Sequence, residues 1–172
     1  NAFLLSLNEL PYSIPHWNGL AKCYLAQNET EKAHEAIDFA LAIDENNTEA
    51  LEVKGFCHIQ NENYEEALTI YRQLLPTSQV PSRIYALMVK CYLDMEMALE
   101  AKATCQEWLK KCPKLTGFEK SEIFSYISMC CFNLQQPEEG MKYIDAASGT
   151  FFPGSHPSKR NAAPTNARTE RS

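Results

Sequence analysis

Three alanines, Ala33, Ala67 and Ala101, stand 34 residues apart, and that period constrains the chain more than any single motif in it. The same shift aligns Ala21 with Gly55, Trp17 with Leu51 and Tyr85, and Tyr24 with His58 and Tyr92. A unit of this length holds two amphipathic helices, with small residues where the pair crosses and large ones filling the gaps. One such pair cannot bury its own apolar stripe, so copies stack and share a continuous core. The expected fold class is all-α, a solenoid of antiparallel helix pairs.

Repeats start near Ile14, Thr48 and Ser82, and a fourth near Ser121 carries Phe124, Ile127, Ser128, Cys131, Gly140, Ile144 and Ala147 in the corresponding places. The step from Ser82 to Ser121 is 39 rather than 34 residues, which puts an insertion of about five around Leu115 to Lys120. The pattern predicts helices at 15–27, 31–43, 48–61, 64–75, 81–94, 98–111, 118–134 and 138–148, with a residual helix at 2–9. Pro15, Pro81 and Pro137 suit first-turn positions, where no backbone donor is lost. Ala33, Ala67, Ala101 and Gly140 are expected to be small because a neighbouring helix backbone passes close by. Residues 1–13 read as the end of a truncated preceding repeat, with Phe3 and Pro11 in register, so a piece of a longer array is expected. Residues 14–147 form four repeats. From Ser148 the breakers Ser148-Gly149 and Pro153-Gly154 give way to a polar run, and 148–172 is expected to be a disordered basic tail.

The stretch from Trp17 to Tyr24 reads W-x2-L-A-x2-Y, and the second halves repeat Glu31-Lys32-Ala33, Glu66-Ala67 and Glu100-Ala101. These motifs resemble the tetratricopeptide-repeat family, with Ala21 where the family usually has glycine. The resemblance covers nearly everything to about Ala147. It implies a right-handed superhelix that works as a non-catalytic protein–protein interaction scaffold. It further implies that the first helix of each repeat lines a concave groove. Carried over position by position, the partner-binding residues are Asn18, Lys22, Glu52, Phe56, Arg83, Leu87, Lys90, Tyr126 and Met129, with Leu25, Glu49, Val53, Ile59, Leu93, Glu122 and Phe132 at the other lining positions. A peptide or helix would lie there, or a neighbouring subunit. Family members that grip a terminal carboxylate use a lysine, asparagine and arginine clamp. The matching positions here hold Asn18, Lys22, Val53, Arg83 and Leu87, and only Arg83 is similar.

Two further stretches, Ala50-Leu51-Glu52-Val53-Lys54-Gly55 and Lys90-Cys91-Tyr92-Leu93 with Glu100-Ala101, resemble the seventh-subunit family of the anaphase-promoting complex. That resemblance implies a homodimeric scaffold in a ubiquitin ligase, contributing architecture to a cell-cycle assembly. The expected role is thus a structural subunit of a multiprotein complex in the cytoplasm or nucleus. The alternative is a free-standing adaptor that binds short linear peptides in the groove.

Sites of chemistry find no foothold. Seven cysteines, an odd number with no CxxC pair, argue against a secreted disulfide framework. Cys23, Cys57, Cys91 and Cys130 share the tenth position of their repeats and are expected to be Ala-like core fillers. Four histidines form no HxxxH or HExxH pattern. His58 stands where a packing tyrosine is expected. There is no Gly-rich phosphate loop and no GxSxG elbow, so no catalytic residue, metal or cofactor is expected. Net charge is −6, although the tail is basic through Lys159, Arg160, Arg168 and Arg171 against Glu170. An acidic body disfavours nucleic acid as the main partner. No apolar run approaches the roughly 18 residues that a membrane span needs.

Overall fold

A computed structural model describes residues 13–151, with side chains through Ser148. The expected helix at 2–9 and the sequence beyond Phe151 lie outside the described residues. Eight helices follow one another: α1 (Ile14–Ala26), α2 (Thr30–Ile43), α3 (Thr48–Gln60), α4 (Tyr64–Leu74), α5 (Pro81–Asp94), α6 (Ala98–Lys111), α7 (Gly117–Asn133) and α8 (Pro137–Phe151). Each odd helix packs on the even helix after it, and each even helix on the next odd one. That is the expected solenoid of antiparallel pairs. Helix limits fall within a residue of those predicted, except at the end, where α8 runs on through Ser148 and Gly149 to Phe151. Ser148 Oγ donates to the Ile144 carbonyl at 3.1 Å, a contact made within helical geometry. A single glycine costs a helix only about 1 kcal/mol.

The turn inside each pair repeats in atomic detail. Asn28, Glu62, Glu96 and Gln135 all adopt the left-handed region, with φ of 62°, 60°, 59° and 59°. The next amide reaches back five residues: Glu29 N to Tyr24 O at 2.9 Å, Asn63 N to His58 O at 2.9 Å, Met97 N to Tyr92 O at 2.8 Å, and Gln136 N to Cys131 O at 2.8 Å. These are Schellman caps, which satisfy the last carbonyls of a helix and turn the chain back. None of the four left-handed positions holds glycine, so each turn stores on the order of 1 kcal/mol of strain. Packing of the two helices must outweigh it.

Starts are capped in several ways. Pro15, Pro81 and Pro137 sit in first turns, as expected. The cap of α3 is Asn47, whose side chain accepts from Ala50 N at 2.9 Å, so Thr48 is already inside the helix. The insertion before the fourth pair becomes the loop at 112–116 and an extra first turn on α7. Thr116 and Glu119 close that turn with a capping box. Glu119 Oε1 also accepts from Ser82 Oγ at 2.5 Å, and the same Ser82 oxygen accepts from buried Trp108 Nε1 at 2.9 Å. One hydroxyl thereby ties α5, α6 and α7 together.

Inside each pair, volume on one helix is matched by a gap on the other. Ala33, Ala67 and Ala101 are fully buried. Two further register positions face each other as Ala21 with Ile37, Gly55 with Tyr71 and Val89 with Cys105, each pair buried. At Gly55 the fit is tight: a Cβ there would lie 2.7 Å from Cε1 and Cζ of Tyr71. Gly140 is small for a different reason from the expected one. Its Cβ would meet the ring of Phe132 at 3.1 to 3.3 Å, not a neighbouring backbone. Phe132 stands where the earlier repeats have Leu25, Ile59 and Leu93. The buried cluster centred on Tyr71 takes residues from α3, α4, α5, α6 and α7, so the core crosses pair boundaries rather than stopping at them.

Gly55→Ala is expected to lower stability by about 1–3 kcal/mol, because overpacking against a buried ring outweighs the gain in helix propensity. Combining it with Tyr71→Ile recreates the Ala21–Ile37 pairing. Thermal unfolding should then show a double variant less damaged than the sum of the two single ones.

Candidate protein-binding groove

The odd helices bring their second, fifth, sixth and ninth register positions to one side, and two ion pairs bind adjacent repeats there. Lys22 Nζ on α1 lies 2.5 Å from Glu49 Oε1 on α3. Arg83 Nε on α5 lies 2.7 Å from Glu52 Oε1 on α3, off the line of a directed hydrogen bond. The hydrogen bond from Lys22 lowers the Glu49 carboxyl from its ordinary value, against a smaller opposing effect of burial and with help from Asn18. Between the two pairs opens a hollow of about 240 Å³, walled by Leu25, Val53, Phe56 and Leu87 with Lys22, Glu52 and Arg83 at its rim. Each charge on that rim has an ion-pair partner, Glu49 serving Lys22 from outside the hollow, and the walls are aliphatic or aromatic. Such a hollow suits a single large apolar side chain presented by another protein.

Five of the nine residues expected in the groove line this hollow: Lys22, Glu52, Phe56, Arg83 and Leu87. Asn18 does not reach the surface; it is 1% exposed. Its Nδ2 donates to Glu49 Oε2 at 3.1 Å and sits 3.4 Å from Asn47 Oδ1, the α3 cap. The amide therefore positions Glu49 and cannot meet a ligand. Lys90 is exposed on α5 outside the hollow. Tyr126 is half-buried on α7 and donates to Glu122 Oε1 at 3.3 Å; burial first, then that carboxylate, pushes its hydroxyl up. Met129 is exposed on the same helix.

On the other side of the Arg83–Glu52 pair lies a second hollow of about 240 Å³, lined in part by Thr48, Glu49, Ser78, Gln79 and Val80. Ser78, Gln79 and Val80 belong to the connection before α5, which no helical register covers. The one signal they offered in sequence is Val80, an apolar residue in a turn immediately before Pro81.

Two other clusters were candidates by residue type. Cys57, Cys91 and Cys130 are fully buried and Cys23 half-buried, all as free thiols. Burial pushes the Cys57 and Cys91 thiols up to about 11, and Cys105 further still. They are protonated fillers at neutral pH rather than nucleophiles or ligands. The second cluster joins α2 to α3. Lys54 Nζ and His34 Nδ1 reach Asp38 at 2.9 and 3.2 Å, and His34 meets His58 edge to face with centroids 5.4 Å apart. Burial, then the adjacent His34, pushes His58 down. Among the described residues, no three His, Cys, Asp or Glu side chains gather as a metal site, and no helix is long and apolar enough to cross a membrane.

The class of protein follows from this geometry: stacked helix pairs, a shared core and a groove on the first-helix side. Residues 25–91 match the model of the tetratricopeptide-repeat family. Among solved structures it is similar to a crystal structure of MamA, with TM-score 0.73 and 17% identity over 87% of this chain and 85% of that one. It is likewise similar to MamA from Desulfovibrio magneticus RS-1, with TM-score 0.72 and 11% identity over 87% and 82%. At these identities the likeness speaks to the fold. Comparison with curated proteins finds no match.

The buried thiols make a pH prediction. Unfolded thiols ionise near 9.0, whereas folded Cys57 and Cys91 hold their protons to about 11. Between those values the native state binds more protons, so stability is full below pH 9 and falls as pH rises towards 11. The slope is at most about 1.4 kcal/mol per pH unit for each thiol. Chemical denaturation from pH 8 to 11 should show this decline, and a shallower one in Cys57→Ala/Cys91→Ala.

Proposed function

We propose that the chain is a non-catalytic structural subunit of a multiprotein assembly. The carrying observation is the apolar end of the stack. Ile144 on α8 is 41% exposed, whereas Ile37, Tyr71 and Cys105 in the same register are fully buried by the pairs around them. Met141, one helical turn earlier, is 51% exposed. A solenoid face of this kind is completed by another surface stacking on it. The resemblance of Ala50–Gly55 and Lys90–Leu93 to the seventh subunit of the anaphase-promoting complex supports a ubiquitin-ligase assembly, a homodimeric arrangement and a place in the cytoplasm or nucleus.

The apolar hollow between Lys22 and Arg83 favours a second reading, a free-standing adaptor that takes one large side chain of a short linear peptide. Affinity purification from cells separates the two, comparing the chain with Phe56→Ala/Arg83→Glu/Lys90→Glu. A structural subunit keeps a set of partners in fixed stoichiometry through the triple change. If the partners vanish while the variant stays helical and monodisperse, the subunit reading falls and the adaptor replaces it.

A further inference from the structure

The outer face of α2 breaks the repeat pattern. At the register positions of Phe39 and Ile43, the second repeat has Gln73 on α4 and Thr77 in the turn after it, and α6 has Glu107 and Lys111, all exposed. Those copies stay exposed even though a helix pair precedes each of them, so the repeat architecture itself does not cover this face. In α2 it is apolar and prominent: Phe39 is 57% exposed and Ile43 47%, one turn apart. The register contact changes with it. In the third pair Tyr85 donates its hydroxyl to Glu107 at 3.3 Å, whereas in the first Trp17 stacks on Phe39 with centroids 4.8 Å apart. A shallow hollow of about 360 Å³ opens there between Glu35, Asp38, Phe39 and Ala42.

The surroundings are acidic. From Glu31 to Glu45 the chain carries Glu31, Glu35, Asp38, Asp44 and Glu45 against the single lysine Lys32, which is paired with Glu29 at 2.8 Å. Asp38 is engaged by Lys54, but Glu31, Glu35 and Glu45 have no ion-pair partner among the described residues. Anionic membranes and nucleic acids would be repelled by such a rim. We propose that this face docks a basic amphipathic segment of a partner protein: large apolar side chains one helical turn apart over Phe39 and Ile43, flanked by Lys or Arg facing the free carboxylates. The surface is separate from the groove and would let one chain hold two partners.

Trp17 is a built-in reporter, because the other tryptophan, Trp108, is buried. The probe is a synthetic leucine–lysine amphipathic helix, with a leucine–glutamate helix of the same pattern as control, added to the full chain. The lysine peptide is expected to bind and shield Trp17 from acrylamide, and the glutamate peptide not to bind. Phe39→Gln/Ile43→Thr, which installs the residues that the second repeat has in this register, should weaken the lysine peptide by about tenfold or more. Ile43→Thr alone, at the last position of α2, should weaken it less while circular dichroism stays unchanged. Equal affinity of the double variant, an unmoved Trp17 signal, or equal binding of the glutamate peptide would overturn the proposal. So would a Trp17 already shielded until residues 152–172 are deleted, or a dimer lost in the double variant. Those two outcomes would assign the face to the chain's own tail or to a second copy.

Discussion

The matched pairing of small and large residues between the two helices of each repeat is the constraint from which the rest of this structure follows. Ala21 against Ile37, Gly55 against Tyr71 and Val89 against Cys105 show three ways of dividing nearly the same space. Because proteins pack to the density of organic crystals, the division must be kept at every pair even as the residues change. Close approach at this crossing fixes the angle within a pair. It also offsets the strain of four left-handed turns at Asn28, Glu62, Glu96 and Gln135. Once the pairs are fixed, the odd helices share a side, and the groove is a consequence.

That groove is built from charges that cancel. Lys22 with Glu49 and Arg83 with Glu52 link one repeat to the next. The Lys22–Glu49 pair is largely exposed and worth little for stability, at most about 1 kcal/mol. The consequence of both pairs for the groove is electrostatic: the cations beside the apolar hollow already have carboxylate partners. Leu25, Val53, Phe56 and Leu87 between the pairs then set what fits. The outer face of α2 has the opposite character, with an apolar pair set among unpaired carboxylates. One short array thus carries two surfaces of different chemistry on opposite helices of its repeats.

Much of this was legible in the sequence because the repeat writes the same instruction several times. Period 34 placed nearly every helix limit, and the tenth-position cysteines were rightly read as fillers, with Cys57, Cys91 and Cys130 fully buried. Where the sequence misled, one register position served two physical roles. Asn18 occupies a groove position, yet its amide is spent on Glu49 and Asn47, a use visible only once α3 is seen packing beside α1. Gly140 is small to admit the Phe132 ring rather than a backbone, a compensation that lies within its own pair. Ser78 to Val80 escaped notice because connections have no period. Ser148 and Gly149 suggested a stop, but a glycine only weakens a helix, and no proline intervenes before Pro153.

The account makes each pair depend on its neighbours for a closed core, with the last pair left partly open. Native-state hydrogen exchange, read helix by helix, tests that most directly. The slowest amides should lie in α3 to α6, where the buried cluster crosses pair boundaries, with protection falling through α7 and lowest in α8. Equal protection in α8 and α4 would mean that the end is sealed, or that each pair stands alone, and would contradict the shared core on which the fold and both surfaces rest.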